Sequence, residues 1–307
     1  FTVRSRLFDN LLGDWDRHDD NWRWASFKDK ETDVTTYRPI PRDRDQPFSK
    51  YDGAVPFLAR RGIPFLKQLR VYDKEVKNIK WQNYHSKYFD PTFLNEAEWS
   101  VWEREAKHIQ ASLTDAVIDS SLQDFPPEIY AIDGEWIAGR LKGRRENMLE
   151  IAREFYLLVS KDVDVIGTNK HDLFLVERLD DQRTRVQLFA SDKDGKQGEK
   201  VYDRTFLKGE TRSVNLYGLD QEDRFLIRGK AKEGIVIRCI GGLDNDIFED
   251  ESFVRNGGKL SKIYDTKTGN DLKLGEEAAN KTSNDPILNT YDRRNWDTEH
   301  NFGINYP

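Results

Sequence analysis

Apolar residues in the first 165 positions recur mainly at helical spacing. A short amphipathic pattern ends near Gly13, where glycine typically closes a helix. Two longer apolar seams, 95–121 and 133–159, predict helices on either side of a proline-containing break. Residues 54–92 are mixed in pattern and support no assignment. We therefore predict a largely helical first part.

A β-hairpin is predicted inside this helical part. Trp22 and Trp24 alternate with polar residues, a polar turn covers 28–33, and a second extended run covers 34–40. The two arms would lie antiparallel, so the residues that flank their open ends would be neighbours. Acidic residues are concentrated at both of those ends.

After residue 165 the pattern changes from helical spacing to alternation. Short runs such as 173–176, 186–189 and 225–227 are separated by turns rich in Asp, Gly and Lys. This series is typical of a small β-sandwich or β-meander, and we detect no repeat of fixed period. The predicted class is α+β, with a helical domain at 1–165, a β-rich module at 166–265 and an extended linker or tail at 266–307.

The composition indicates a folded chain despite its high charge. Charged residues make up 34% and hydrophobic residues 37% of the 307 positions, a balance often found in disordered proteins. However, 8 Trp, 12 Tyr and 17 Phe can bury large areas in a core. The net charge of −6 gives no electrostatic basis for binding nucleic acid. No apolar run approaches the roughly 20 residues that span a bilayer.

The single cysteine, Cys239, excludes an internal disulfide and a multi-cysteine metal site. It lies in an apolar, strand-like run, so we expect a buried and unreactive thiol. The chain begins at Phe1 without a methionine or a signal peptide, and we expect it to be part of a longer protein.

The most specific candidate chemistry lies at the open end of the predicted hairpin. Asp16 and Asn21 precede its first arm, and Asp43 follows its second arm. Phosphoryl transfer uses one carboxylate near the nucleophile, and an amide oxygen and a second carboxylate as Mg²⁺ ligands. The hairpin would bring these three side chains into one pocket. Arg17 and His18 could brace the loop through hydrogen bonds.

The string Asp16-Arg17-His18-x-x-Asn21, followed by Asp43, resembles the catalytic loop and metal-binding aspartate of atypical kinases. The phosphoinositide-kinase-like, spore-coat-kinase-like and secretory-pathway families share this arrangement. The resemblance implies a kinase-like C-lobe in which Asp16 is the catalytic base, supported by Arg17 and His18. It also implies that Asn21 and Asp43 bind Mg²⁺.

Longer segments resemble the middle region of large Bacteroidetes surface proteins. The similar segments are 7–18, 37–45, 139–145, 165–168 and 216–225. Those proteins join a calcineurin-like metallophosphoesterase to an outer-membrane, surface-antigen-type β-barrel. The resemblance covers most of the chain. It implies a periplasmic or cell-surface location associated with the outer membrane, upstream and downstream domains as partners, and no membrane insertion by this segment.

Two functional hypotheses follow. The first is a phosphoryl-transfer site that uses Mg²⁺ and ATP, with Asp45 as the alternative metal ligand. A kinase fold also requires an N-terminal lobe with a phosphate-covering loop and a Lys–Glu pair, which the residues before Asp16 are too few to form. The second is a non-catalytic module that connects the domains of a surface phosphoesterase. In that case the acidic string would be a charged turn held by Arg–Asp pairs.

Other motifs carry less information. The calcineurin-like hydrolase site is absent, because its Asp-x-His and Gly-Asn-His strings are missing and the five histidines are scattered. Residues 241–248 resemble one copy of a Ca²⁺-binding nonapeptide, but a single copy favours a tight turn between strands. The basic residues of 140–145 are more typical of a solvent-exposed helix face, on which they would pair with Glu146 and Glu150.

Overall fold

The computed structural model describes residues 1–63, 66–256, 258–276 and 278–293. The chain divides into two units, Phe1–Leu158 and Val159–Pro307. Helices dominate the described part of the first unit and strands dominate that of the second. The predicted α+β class is therefore confirmed.

The first unit, called the helical unit below, contains one two-stranded sheet and a series of helices. Its elements are α1 (Thr2–Leu12), β1 (Trp22–Lys28), β2 (Thr35–Pro41), α2 (Ala54–Gly62), α3 (Ile79–Gln82), α4 (Phe89–Phe93), α5 (Trp99–Ser112), α6 (Asp115–Leu122), α7 (Pro127–Ile129), α8 (Glu135–Glu146) and α9 (Met148–Ser160). A 3₁₀ turn at Asp19–Asn21 leads into β1.

Each of the two predicted long helices is a pair of helices. The first breaks after Ser112, because the hydroxyl of Thr114 accepts the N–H of Val117 at 3.2 Å and caps α6. The second breaks at Asn147, between α8 and α9. The apolar seam continues across both breaks, so periodicity alone does not reveal them.

The core of the helical unit combines aliphatic and aromatic side chains. Leu7 and Leu11 of α1, Trp102 of α5 and Phe155 of α9 are buried. Trp102 and Phe155 meet edge to face, with ring centroids 5.1 Å apart. Burial of large rings compensates for a modest number of aliphatic residues, as the composition predicts.

The predicted β-hairpin is present. Strands β1 and β2 pair antiparallel, from Trp22 opposite Pro41 to Lys28 opposite Thr35. Trp22 is buried and stacks on Phe89, with ring centroids 4.4 Å apart. This contact attaches the open end of the hairpin to α4 and leaves most of the remaining hairpin exposed.

The second unit, called the β unit below, consists mainly of strands. They are β3 (Asp162–Ile166), β4 (Asp172–Arg178), β5 (Arg183–Ser191), β6 (Gln197–Leu207), β7 (Ser213–Leu219), β8 (Arg224–Ala231), β9 (Val236–Gly242), β10 (Ile247–Asp250), β11 (Phe253–Val254), β12 (Ser261–Tyr264), β13 (Asp271–Leu274) and β14 (Ala278–Asn280). Helix α10 (Pro286–Asn289) follows them.

The strands form two sheets. One has the order β14-β12-β9-β7-β3 and all its pairings are parallel. The other has the order β13-β10-β8-β4-β5-β6, with parallel pairing from β13 to β4 and an antiparallel hairpin at the β5–β6 edge. Strand β11 pairs with β8 outside this path.

Because the strands after the β5–β6 hairpin, apart from the two-residue β11, alternate between the sheets, the chain winds as a two-sheet solenoid. Leu173, Arg224, Ile247 and Asp271 are register partners in successive coils. The corresponding coil lengths are 51, 23 and 24 residues. The β5–β6 hairpin, inserted in the first coil, accounts for its greater length.

A single apolar core lies between the two sheets. Phe174, Phe225 and Phe248 occupy the same position in three successive coils and stack nearly parallel. Their ring centroids are 4.7 and 4.9 Å apart, with interplanar angles of 4° and 9°. Cys239 lies in the same core, where burial raises the pKa of its thiol well above the ordinary value. This agrees with the predicted unreactive thiol.

Aspartates form a ladder along one corner of the solenoid. The N–H of Asp172 donates to Oδ1 of Asp223 at 2.8 Å, and the N–H of Asp223 donates to Oδ1 of Asp246 at 2.7 Å. The N–H of Asp246 donates to Oδ1 of Asn270 at 2.8 Å. Each bond joins one coil to the next, so the ladder sets the register of the corner. We call these four residues the aspartate ladder.

A glycine stands at the first position of three of these corners, for a steric reason. A Cβ at Gly218 would lie 2.1 Å from Oδ2 of Asp223 and 2.4 Å from the carbonyl oxygen of Gly241. The corner therefore has no room for a side chain at this position. The last coil differs, since Asp265 occupies the position of the glycine.

Two predictions for the β unit are wrong, and the structure shows a repeat of unequal spacing that the sequence pattern does not reveal. The strands are joined mainly in parallel, unlike a simple sandwich or meander, because side-chain alternation carries no information about strand direction. A Gly-x₄-Asp repeat exists, but unequal coils and substitutions in the last coil conceal its period. Residues 266–307 are not an extended tail throughout, because β13, β14 and α10 lie within 266–293; the rest of the predicted tail lies outside the described residues.

Candidate functional site

The loop that carries the candidate chemistry begins where α1 ends. Gly13 closes the helix in the left-handed region, with φ of 74°. A Cβ at this position would lie 2.6 Å from the ring of Tyr72. The N–H of Asp14 then donates to the carbonyl oxygen of Asp9 at 2.9 Å. These contacts determine the direction in which the chain enters the loop at 14–18.

Arg17 braces this loop from within the protein. Its side chain is fully buried, and Nη1 donates to the carbonyl oxygens of Arg42 and Asp43 on the second arm of the hairpin. Its guanidinium lies 3.4 Å from the carboxylate of Asp9 and 3.6 Å from that of Asp14. Arg17 is therefore a positioning residue, which agrees with the predicted bracing role but not with direct contact with a substrate.

Asn21 joins the loop to both arms of the hairpin. Its Nδ2 donates to the carbonyl oxygen of Asp16 at 2.6 Å, and its own carbonyl oxygen accepts the N–H of Arg42 at 2.8 Å. Asn21 thus lies next to the chain segment that bears Asp43, as the hairpin predicts. Since Nδ2 is engaged, Oδ1 is the side-chain atom left for a cation.

His18 ends the loop as the cap of the 3₁₀ turn. Its carbonyl oxygen accepts the N–H of Asn21 at 3.1 Å, and its side chain is half-buried. His18 therefore contributes its backbone carbonyl to the turn that presents Asn21, and the bracing role predicted for its side chain stays a prediction.

The carboxylate of Asp16 is partly exposed and faces His85. Oδ1 of Asp16 lies 3.3 Å from Nδ1 of His85, and the other ring nitrogen of His85 lies 3.2 Å from Nε2 of Gln68. Burial lowers the pKa of His85, although the negative charge of Asp16 opposes this shift. The lowered pKa favours a neutral imidazole near pH 7, whose two ring nitrogens face Asp16 and Gln68.

His85 is a site residue that the sequence pattern did not reveal. It lies in the segment 54–92, for which periodicity supports no assignment. Its neighbour Ser86 is also part of the site, because its hydroxyl donates to the carbonyl oxygen of Arg17 at 2.7 Å. Only the folding of this irregular segment against the loop brings both residues to Asp16.

Asp43 and Asp45 are exposed on the second arm. Asp43 adopts φ of 52°, a left-handed conformation that aspartate tolerates better than most residues. Burial and the negative charges of Asp45 and Asp16 raise the pKa of Tyr51. Asp45 and Asp16 therefore face the same phenol, whereas Asp43 lies beside Asn21.

Beneath the loop lies a buried ionic network, which shares Asp9 with Arg17. Arg6 contacts Asp90 at 2.7 Å and Asp9 at 2.9 Å, and Arg44 contacts Asp9 at 2.7 Å. Burial raises the pKa of Asp14 to about 7, although the nearby Arg17 opposes this shift. Arg–Asp pairing is thus present, as the structural hypothesis predicts, but it engages a different set of carboxylates from Asp16, Asp43 and Asp45.

The basic segment 140–145 is mostly engaged within the protein. Arg144 is buried and donates to the carbonyl oxygens of Asn10 and Asp73, each at 2.9 Å. Lys142 and Arg145 contact Asp119 and Asp115 of α6. The predicted solvated face is therefore wrong for Arg144. The main partners of Lys142 and Arg145 lie on α6, whereas Arg140 contacts Trp136 at helical spacing on its own helix.

No protein-family model matches the chain, and comparisons with curated proteins and with solved structures give no match. No helix in the described ranges is both long and apolar enough to cross a membrane. The described residues also contain no group of three or more His, Cys, Asp or Glu side chains arranged to hold a metal. Asn21 and Asp43 could still contribute to a Mg²⁺ site, because Mg²⁺ usually takes its remaining ligands from phosphate and water.

Proposed function

We propose that the loop around Asp16, Asn21 and Asp43 binds Mg²⁺ and a phosphate group for phosphoryl transfer, in the manner of an atypical kinase C-lobe. The observation that carries this proposal is the bond from Asn21 Nδ2 to the Asp16 carbonyl oxygen, together with the backbone pairing of Asn21 to Arg42. These contacts keep the chain segments that carry Asp16, Asn21 and Asp43 next to one another, as the proposed site requires.

Each side chain has a chemically suitable role in this proposal. Asp16 is partly exposed and would accept the proton of an attacking hydroxyl. Oδ1 of Asn21 and the carboxylate of Asp43 would bind Mg²⁺, with Asp45 as the alternative ligand, and the metal would neutralise phosphate charge on ATP. Arg17 and His18 would hold the loop without touching the substrate.

The proposed setting is a larger surface protein. By the resemblance of the chain to the middle region of Bacteroidetes phosphoesterase–barrel proteins, we propose a periplasmic or cell-surface location associated with the outer membrane. The partners would be the upstream and downstream domains of the same longer chain.

A second candidate function is that of a non-catalytic connecting module. The solenoid favours it, because each coil adds about 4.8 Å of stacked strands and produces a rigid spacer. In that case the Arg–Asp network beneath the loop would be purely structural, and Asp43 would have no ligand.

The two candidates predict different responses to nucleotide. In the full native chain, ATP with Mg²⁺ or Mn²⁺ should raise the melting temperature, because a ligand at 100 times its Kd stabilises by about 2.7 kcal/mol. Asp43→Ala should abolish this shift, while Asp20→Ala, an exposed carboxylate on the same loop, should preserve it. Asp16→Asn should retain nucleotide binding but lose phosphoryl transfer to an acceptor.

The opposite results would favour the connecting module. If wild-type protein shows no shift with either metal, or if Asp20→Ala and Asp43→Ala reduce it equally, the phosphate site is not where we propose. If the shift is normal and Asp16→Asn transfers phosphate as fast as wild type, Asp16 is not the base.

A further inference from the structure

A second candidate site adjoins the loop at Gly13 and Trp15. It is a cavity of about 190 Å³, and its wall includes Trp15, Arg60, Gln68, Arg70 and Gln82. Typical small-molecule pockets begin at about 300 Å³, so the cavity is too small for a whole nucleotide. Its volume suits a small anion or a short phosphorylated compound.

Two guanidinium groups line this wall without being neutralised, and that of Arg70 is exposed. Nη1 of Arg60 donates to the carbonyl oxygens of Tyr51 and Leu69, at 3.1 and 2.9 Å. Nε of Arg70 donates to the carbonyl oxygen of Lys67 at 3.0 Å. Neither arginine forms an ion pair within the described part of the chain. Partial burial and the positive charge of Arg60 lower the pKa of Arg70, which shows that the two cations are close.

The other charged groups of the wall do not cancel this pair. Asp73 is 3.4 Å from Lys77, and Lys67 lies over the ring of Trp81 at 4.8 Å. Arg144 is engaged by backbone carbonyls, and Glu75 is exposed. An anion in the cavity would therefore meet two guanidinium groups with free N–H donors, the arrangement that binds phosphate through paired hydrogen bonds.

Polar atoms on the wall also lack partners among the described residues. Gln68 is only 5% exposed, and its amide lies 3.2 Å from Nε2 of His85. Nε1 of Trp15 and Nε2 of Gln82 are buried donors without an acceptor. Leaving such groups unpaired is costly, so this wall is better suited to a ligand than to empty space.

We propose that this cavity binds the phosphate group of a small molecule, or inorganic phosphate, between Arg60 and Arg70. The donors would come from the guanidinium groups of Arg60 and Arg70, which both line the cavity. The site does not depend on the proposed kinase activity, because its residues are separate from Asn21 and Asp43. Gln68 and His85 would connect an occupied cavity to Asp16.

Calorimetric titration of the full chain with inorganic phosphate tests the proposal. Saturable binding is expected, with Kd weakened about tenfold or more in Arg70→Gln and in Arg60→Gln. Arg61→Gln, which changes a neighbouring exposed arginine of α2 that is not in the wall, should bind as wild type does. Asp43→Ala should also bind normally, which separates this site from the metal site.

Two further probes identify the source of the phosphate. Tighter binding of glycerol 3-phosphate than of inorganic phosphate would support a small phosphomonoester, and the reverse order would support free phosphate. AMP should bind no better than inorganic phosphate because of its size. Absence of saturable binding for all three probes, or equal weakening in Arg61→Gln and Arg70→Gln, would overturn the proposal.

Discussion

Replacing Asp223 by asparagine should stabilise the β unit at neutral pH. Asp223 is 1% exposed, and its Oδ2 has no hydrogen-bond partner among the described residues. Burial, followed by the negative charge of Asp246, raises the pKa of Asp223 to about 9. The folded protein therefore binds a proton at this carboxyl at pH 7, whereas the unfolded chain does not. Asn270, in the last coil, already accepts the same ladder bond through an amide.

The magnitude follows from proton linkage. Because the pKa of Asp223 is raised by folding, protonation of this carboxyl contributes to the free energy of unfolding. The contribution is complete below the ordinary pKa of 3.8 and is lost as the pH rises through about 9. Between pH 3.8 and pH 7 the loss is at most about 4 kcal/mol, at 1.36 kcal/mol per unit. An amide avoids this cost but fits the carboxyl site imperfectly, so we expect a gain of about 2 kcal/mol at pH 7.

Native-state hydrogen exchange of peptides from β7 and β8 measures this effect within the β unit. After correction for intrinsic exchange, the free energy of opening of wild-type protein should fall between pH 5 and pH 8, and that of Asp223→Asn should fall less. Asp203→Asn is the matched control. Arg185 holds the pKa of Asp203 below its usual range, so this substitution should destabilise slightly, by about 0.5–1 kcal/mol.

An effect of Asp223→Asn that does not change with pH would refute a role for the bound proton. If Asp223→Asn loses stability equally at pH 5 and pH 8, its hydrogen-bond geometry matters and its proton does not. If wild-type stability in these peptides rises from pH 5 to pH 8, the aspartate ladder is not protonated in the folded state.

Three further substitutions test packing by urea or thermal denaturation. Gly218→Ala should destabilise the protein by more than about 2 kcal/mol, because the new Cβ has no room. Gly209→Ala should be nearly neutral, because a Cβ there meets open space. Equal effects of the two substitutions would contradict the corner geometry. Phe225→Ala should cost about 3–5 kcal/mol because it removes the middle ring of a stack, and a loss below about 1 kcal/mol would contradict this. Arg17→Lys should lower the free energy of unfolding by about 2 kcal/mol or more, because lysine cannot form the same pair of hydrogen bonds to the carbonyls of Arg42 and Asp43. An unchanged melting temperature would exclude the bracing role of Arg17.

The helical unit shows which features could be predicted locally. The hairpin and the proximity of Asn21 to Asp43 depend on strands that are close in sequence, and the antiparallel register follows from a short turn. The breaks near Thr114 and Asn147 were missed, because an apolar seam extends across both of them. His85 and Gln68 could not be assigned to the site, since their segment has no regular period.

The β unit shows a different limit. The positions of many strands were evident from alternation, but the direction and partner of each strand were not. The repeat that relates Gly218 and Asp223 to Gly241 and Asp246 becomes visible only when parallel pairing aligns the coils. The hydrogen bonding of the repeat also depends on the tertiary structure, because each ladder bond joins residues from different coils.

By itself, the amino-acid sequence determined the α+β class, the hairpin and the acidic loop, since each depends on side-chain periodicity or on contacts between near neighbours. The tertiary structure decided the solenoid, the buried aspartate ladder, the approach of His85 to Asp16 and the separation of the Arg–Asp network from the exposed carboxylates. The physical reason is that burial, pKa and hydrogen-bond partners depend on residues distant in the chain, and no local pattern encodes which of them will meet.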